Sequence, residues 1–144
     1  MKHLYSLLIF MVFFISCKTE KEIDVSSLEE QKYLAPVKEQ IEAYNARNLE
    51  RFINCYSEDI IIEDAQCKIM MQGHDQMRDL YGKLFSESPN LNAKILSRFQ
   101  VGEYVFDKEH ATGINLEGYP SEMFSAAIYH VKNEKIVHVR LIMQ

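Results

Sequence analysis

The sequence predicts an α+β domain, helices first and strands after. Three observations carry this. Apolar residues recur at helical spacing in three segments between Leu28 and Phe85. From Leu91 onward the period changes to two. Near the end, a polar Lys132-Asn133-Glu134 turn joins two strand-like runs, which pairs them antiparallel.

The first helix is expected to start near Leu28, because Ser27 and Glu30 form a capping box. Tyr33, Val37, Ile41 and Tyr44 give it one apolar stripe, and Asn45 to Asn48 breaks it. Leu49, Phe52, Ile53 and Tyr56 make a second, short helix. Asp59 to Asp64 contains three consecutive Ile, a β-branched run that reads as a strand. Gly73 opens a third helix with Met77, Leu80, Tyr81, Leu84 and Phe85 on one face, ended by Ser86 to Asn90 with Pro89. Leu91, Ala93, Ile95, Phe99 and Val101 then alternate with Asn92, Lys94, Arg98 and Gln100. Tyr104 to Phe106 and Ala111 to Leu116 continue the strand character, followed by strands at Met123–Val131 and Lys135–Met143.

The chain's first residues read differently. Leu4 to Ile15 is an apolar run preceded by Lys2 and His3 and closed by Ser16-Cys17, the anatomy of a secretory signal. It is too short to span a membrane, which takes about 20 residues. Phe14-Ile15-Ser16-Cys17 resembles a bacterial lipobox, which implies cleavage after residue 16 and acyl chains on Cys17. Lys, Glu, Asp and Ser dominate the stretch that follows, so residues 17–27 are a lipidated cysteine and tether, and residues 28–144 are the domain. That places the protein in the bacterial cell envelope, anchored to a membrane through Cys17.

With 47% hydrophobic residues, five Gly and three Pro, the composition is that of a folded domain and excludes a disordered one. Sixteen basic against 21 acidic residues argue against nucleic acid, whose phosphates need a clustered positive field. Cys55 and Cys67 show neither a CxxC nor a Cys/His spacing suited to zinc; they read as two separate buried thiols, with a disulfide between them as the alternative in an oxidising envelope. His74, His110, His130 and His138 are scattered, and could hold a metal only if the fold gathered them.

The order of these elements, with several motifs, resembles the NTF2-like, or SnoaL-like, superfamily. The stretch Ile41 to Phe52 resembles its first two helices and their link. Tyr56 to Asp64 resembles its turn and strand, Gly73-His74 its helix start, and Tyr129 to Arg140 its last hairpin. The resemblance implies a cone, in which a curved, mostly antiparallel sheet wraps the N-terminal helices around an apolar pocket. Local detail is similar to ketosteroid isomerase, where a strand-end Asp shuttles a proton on an enolising ketone. Asp64 falls at that place, and Tyr56 and Tyr81 match tyrosines of the hydrogen-bond network. Gln40 stands where that family has its oxyanion-donating tyrosine, and the second, protonated donor falls near Ala127. Losing one such donor typically costs about 3 kcal/mol of transition-state stabilisation.

The leading expectation is therefore a pocket that binds a small apolar molecule without turnover, with no cofactor or metal. A second is an isomerase, cyclase or dehydratase with Asp64 as general base, assisted by Gln40, Tyr56 or Tyr81. A third is a dimerising interaction module, with His138 and Arg140 on the sheet face that a homodimer would use.

Overall fold

The computed structural model describes residues 25–143. The signal segment, Cys17 and most of the tether lie outside those residues, as do the side chains of the Ser27–Glu30 capping box. Among the described residues the order is α1 (Val25–Asn45), α2 (Leu49–Ile53), β1 (Tyr56–Glu63), β2 (Ile69–Gln72) and α3 (Gly73–Glu87). Four long strands follow: β3 (Asn92–Val101), β4 (Tyr104–Thr112), β5 (Glu122–Lys132) and β6 (Lys135–Met143). The α+β class is as the sequence predicts. α1 starts at Val25, ahead of the capping box, and the four-residue β2 is too short to show any period in the sequence.

The strands form one sheet in the order β2-β1-β6-β5-β4-β3. β1 runs parallel to β6, and every other pairing is antiparallel. Irregular register at Ile62/Glu63, Ile95/Ser97 and His130/Val131 adds local bend and twist, which curls the sheet. α1 lies across β3 to β6, α3 lies on β1 and β2, and α2 bridges α1 and α3. The core between helices and sheet holds Val37, Phe52, Ile53, Ile60, Ile62, Met77, Val105, Val131 and Ile136, all essentially inaccessible.

The irregularity in β3 corrects one sequence reading. Leu91, Ala93, Ile95, Phe99 and Val101 look like one alternating face, but the shift between Ile95 and Ser97 reverses the phase. Ala93 is buried, whereas Phe99 and Val101 are 59% and 62% exposed. Arg98 turns inward instead, onto Asp107 of the neighbouring strand.

Polar side chains fix the joints. Asn48 caps α2 by accepting a hydrogen bond from the Arg51 amide at 3.1 Å. Asn45, at the end of α1, donates to the Ala93 carbonyl at 2.9 Å and accepts from the Ala93 amide at 2.6 Å. β3 is the sheet's edge, so Asn45 occupies backbone groups that would otherwise lack a strand partner. Gly113 has φ +70°, and a Cβ there would come within 2.1 Å of the Asn90 carbonyl oxygen, so only glycine fits.

Candidate functional site

The mouth of the cone opens into a cavity of about 120 Å³. Each wall follows from an element's periodicity. α1 contributes Gln40, Ile41 and Tyr44, one helical turn of its apolar stripe. α3 contributes Leu80, Tyr81 and Leu84, and the sheet contributes Ala93, Glu109, Ala111, Ser125 and Leu141. Tyr44, Phe52, Tyr81 and Phe85 pack as a tilted and edge-on aromatic cluster, with centroids 4.5–6.4 Å apart. Met70, Met71, Met123, Met143 and Tyr119 line the outer part. Met70, Met143 and Tyr119 remain substantially exposed, which marks the mouth.

One chain of hydrogen bonds crosses the inner end. The Tyr56 hydroxyl donates to Gln40 Oε1 at 3.2 Å, and Gln40 Nε2 donates to the Tyr129 hydroxyl oxygen at 3.1 Å. Tyr129 in turn donates to Glu109 Oε1 at 2.7 Å, and Ser125 donates to Glu109 Oε2 at 3.3 Å. Every proton in the chain points toward the Glu109 carboxylate. Burial pushes the Glu109 carboxyl above its ordinary value; the Tyr129 hydrogen bond opposes this, and the charge of Asp107 reinforces it. Burial likewise holds Tyr56, Tyr129, Tyr44 and Tyr81 as neutral phenols, well above the usual tyrosine value. The hydroxyls of Tyr44 and Tyr81 take no hydrogen-bond partner among the described residues.

Beside Glu109 on the inner face of β4 lies Asp107, fully buried. Arg98 donates to both its oxygens, from Nε and Nη2, each at 2.6 Å. This fork-to-fork pair joins β3 to β4 and commits the guanidinium to Asp107.

Of the residues singled out in the sequence, Gln40, Tyr56 and Tyr81 come together at this cavity. Asp64 does not. It sits in the turn after β1, where its carboxylate accepts the amides of Gln66 and Lys68 at 2.9 Å each. Those bonds form an Asx-type turn that directs the chain into β2, and Asp64 is not part of the cavity lining. Ala127 is a buried inner-face residue paired in register with Asp107, so the carboxylates of this face stand on β4 and not on β5.

Sequence reasoning missed Glu109 and Tyr129. The signal was present: Val105, Asp107, Glu109 and Ala111 alternate on one strand face, and the two outer members are apolar. The polar run Asp107-Lys108-Glu109-His110 reads as a break only if the alternation is ignored.

The outer sheet face carries other groups named above. His138 and Arg140 both meet Glu63 across the β1–β6 pairing, His138 at 3.3 Å. The Arg140 hydrogen bond holds the Glu63 carboxyl below its ordinary value. His130 stacks on Tyr104 and His110 on Phe124. Among the described residues no three His, Cys, Asp or Glu side chains are gathered to hold a metal ion. Cys55 is a buried free thiol, raised to about 11 chiefly by burial, but Cys67 is a free thiol exposed in the β1–β2 turn, against the expectation that both are buried.

A family model described as a SnoaL-like domain matches residues 37–139. No curated protein matches significantly. Among solved structures, an uncharacterized cystatin fold protein from Novosphingobium aromaticivorans is similar, with TM-score 0.69 at 26% identity over 76% of this chain and 97% of that one. An NTF2-like protein of unknown function from Cytophaga hutchinsonii gives TM-score 0.63 at 15% identity, over 78% of this chain and 89% of its own. An LEH-like epoxide hydrolase from M. tuberculosis gives 0.63 at 11% identity, over 79% and 84%.

Proposed function

The chain belongs to the SnoaL-like domain family, and we propose that it is a receptor for one compact, mostly apolar small molecule held in the cone without turnover. The observation that carries this reading is the cavity itself, with apolar and aromatic walls and one carboxylate, Glu109, beside the polar Gln40 and Ser125. An engineered apolar cavity of roughly 150 Å³ accommodates benzene, so about 120 Å³ matches a single molecule near that size. Turnover of the isomerase kind needs donors aimed at a developing oxyanion. Here Gln40 is engaged on both sides by Tyr56 and Tyr129, and Asp64 is engaged by its turn. Native mass spectrometry of the protein from cell extract tests the reading. A small molecule should co-purify and be lost in Met123→Trp, which fills the cavity edge. Repeated absence of any ligand would count against it.

A second reading has one observation in its favour. Glu109 is a half-buried carboxyl that desolvation raises above its ordinary value, oriented by Tyr129 and Ser125 and open to the cavity. That is the position of a general base, and the epoxide hydrolase among the structural neighbours is an enzyme on this fold. Proton exchange on model enones should then vanish in Glu109→Gln and persist in Asp64→Asn. Loss in Asp64→Asn alone would restore Asp64 as the base.

The anchor and the outer face are further proposals. The lipobox-like Phe14 to Cys17 supports an envelope lipoprotein, and Cys17→Ala should shift the protein from the membrane to the soluble fraction. Phe99, Val101, Tyr104, Phe124 and Ile142 expose apolar surface on the outer sheet face, which supports a homodimer there. Light scattering that gives a dimer mass, reduced to a monomer by Phe99→Lys, would bear that out.

A further inference from the structure

We infer that the occupant of the cavity is an organic cation: a protonated amine on a compact apolar body, its N–H directed at the Glu109 carboxylate. This rests on the receptor reading above and specifies its ligand.

The first argument is the charge count on the inner face. β3 and β4 place Arg98, Asp107 and Glu109 there. Arg98 gives both arms of its fork to Asp107. Glu109 has no cation in hydrogen-bond reach; its partners are the neutral Tyr129 and Ser125. An ionised Glu109 thus has no bonded counter-ion among the described residues, and Arg98 acts on it only through space. A cationic ligand supplies the missing partner, whereas an anionic one adds a third negative charge.

The second argument is hydrogen-bond direction. Tyr56, Gln40 and Tyr129 relay their protons one to the next, and the relay ends on Glu109. The hydroxyl protons of the chain are all spent and only the second amide N–H of Gln40 is left over, so Glu109 is the acceptor that the inner end presents. An ammonium N–H is its complement. The free hydroxyls of Tyr44 and Tyr81 can accept further N–H groups.

The third argument concerns the walls. Tyr44, Phe52 and Tyr81 enclose the space within an aromatic cluster, and Tyr119 stands at the mouth. Aromatic faces carry the negative end of the ring quadrupole and attract cations. The Met side chains at the mouth are polarizable and adapt to the shape of an apolar body. The Glu109 carboxyl is displaced upward first by burial and then by the charge of Asp107, against the Tyr129 and Ser125 hydrogen bonds and the charge of Arg98.

Isothermal titration at neutral pH with benzylamine, benzyl alcohol and toluene separates the possibilities on a common ring. The expected result is benzylamine binding at least tenfold tighter than either neutral probe. Glu109→Gln should abolish that preference, and a far-UV circular dichroism spectrum matching that of the parent shows that the variant is folded. Equal affinity for all three probes, or an amine preference that survives Glu109→Gln, would overturn the cation while leaving the receptor reading intact. Failure of all three to bind would overturn both.

Discussion

Replacing Arg98 with Met keeps a long side chain beside β4 but removes the charge that offsets Asp107. The Asp107 side chain is inaccessible and that of Arg98 is 18% exposed, so the pair is desolvated on both sides. Breaking a buried pair by removing one partner typically costs 3–5 kcal/mol, because the other charge stays behind. The partial exposure of Arg98 lets water reach the site, which puts the expected loss at the lower end, about 3 kcal/mol. For a domain of this size each kcal/mol moves the Tm by roughly 4 °C, so Arg98→Met should melt about 12 °C lower. Urea unfolding at pH 7 with far-UV circular dichroism reads the first quantity, and a thermal scan reads the second. The double variant Arg98→Met, Asp107→Leu should recover most of the loss, since an apolar pair of similar volume replaces a buried ionic one at little cost. A loss below about 1 kcal/mol for Arg98→Met, in the range of exposed ion pairs, would show that this pair is not desolvated in solution.

Three further outcomes follow from named contacts. Glu109 is raised in the folded state, so the unfolded chain releases this proton first. Its contribution to stability is full below about pH 4.3, the unfolded value, and is lost as pH rises through the folded value. Tyr44 from α1, Tyr56 from β1, Tyr81 from α3, Arg98 from β3, Asp107 on β4 and Tyr129 from β5 are the titratable groups around it, and Glu109→Gln removes only the carboxyl. The variant should therefore gain stability relative to the parent as pH rises from 4 to 8 in urea titrations; a relative loss over that range would contradict the sign. Asn45→Ala leaves the edge amide and carbonyl of Ala93 without their partner and should cost about 2–3 kcal/mol in urea unfolding. Gly113→Ala pushes a Cβ into the Asn90 backbone and should leave little folded protein, while Gly118→Ala, with φ +84° but open space around it, should cost only about 1–2 kcal/mol. Comparable expression and melting of the two glycine variants would count against the Gly113 contact.

The helices were readable because each presents a full apolar stripe: Val37 and Tyr44 on α1, and Met77, Leu84 and Phe85 on α3, all face the core or cavity as their spacing predicts. β5 and β6 were readable because their turn is polar and their apolar runs are long, although the register shift at His130/Val131 breaks the alternation of β6 between Ile136 and Val139. β3 was misread on its outer half, since a register shift leaves no mark on the residue alternation and yet reverses which face each side chain takes. At the site, Gln40, Tyr56 and Tyr81 were found through resemblance to a family with a known network. Glu109 escaped because a charged residue in a strand normally faces water, and its burial depends on partners far along the chain: Tyr129, 20 residues later, and α1, more than 60 residues earlier. Asp64 was drawn in by its position at a strand end. What decides its role is a local competition, in which the amides of Gln66 and Lys68 reach its carboxylate within the turn.

The cavity's methionines provide the most direct test of the receptor reading. Met71 and Met123 line the cavity, as do Met70 and Met143 at its mouth, whereas Met77 is fully buried elsewhere in the core. With the methionine methyls labelled with carbon-13, titration of benzylamine should shift the Met71 and Met123 signals in a saturable way and leave Met77 in place. Cavity methyls that stay still at saturating probe, or shifts that include Met77 to the same extent, would contradict a small-molecule site in the cone.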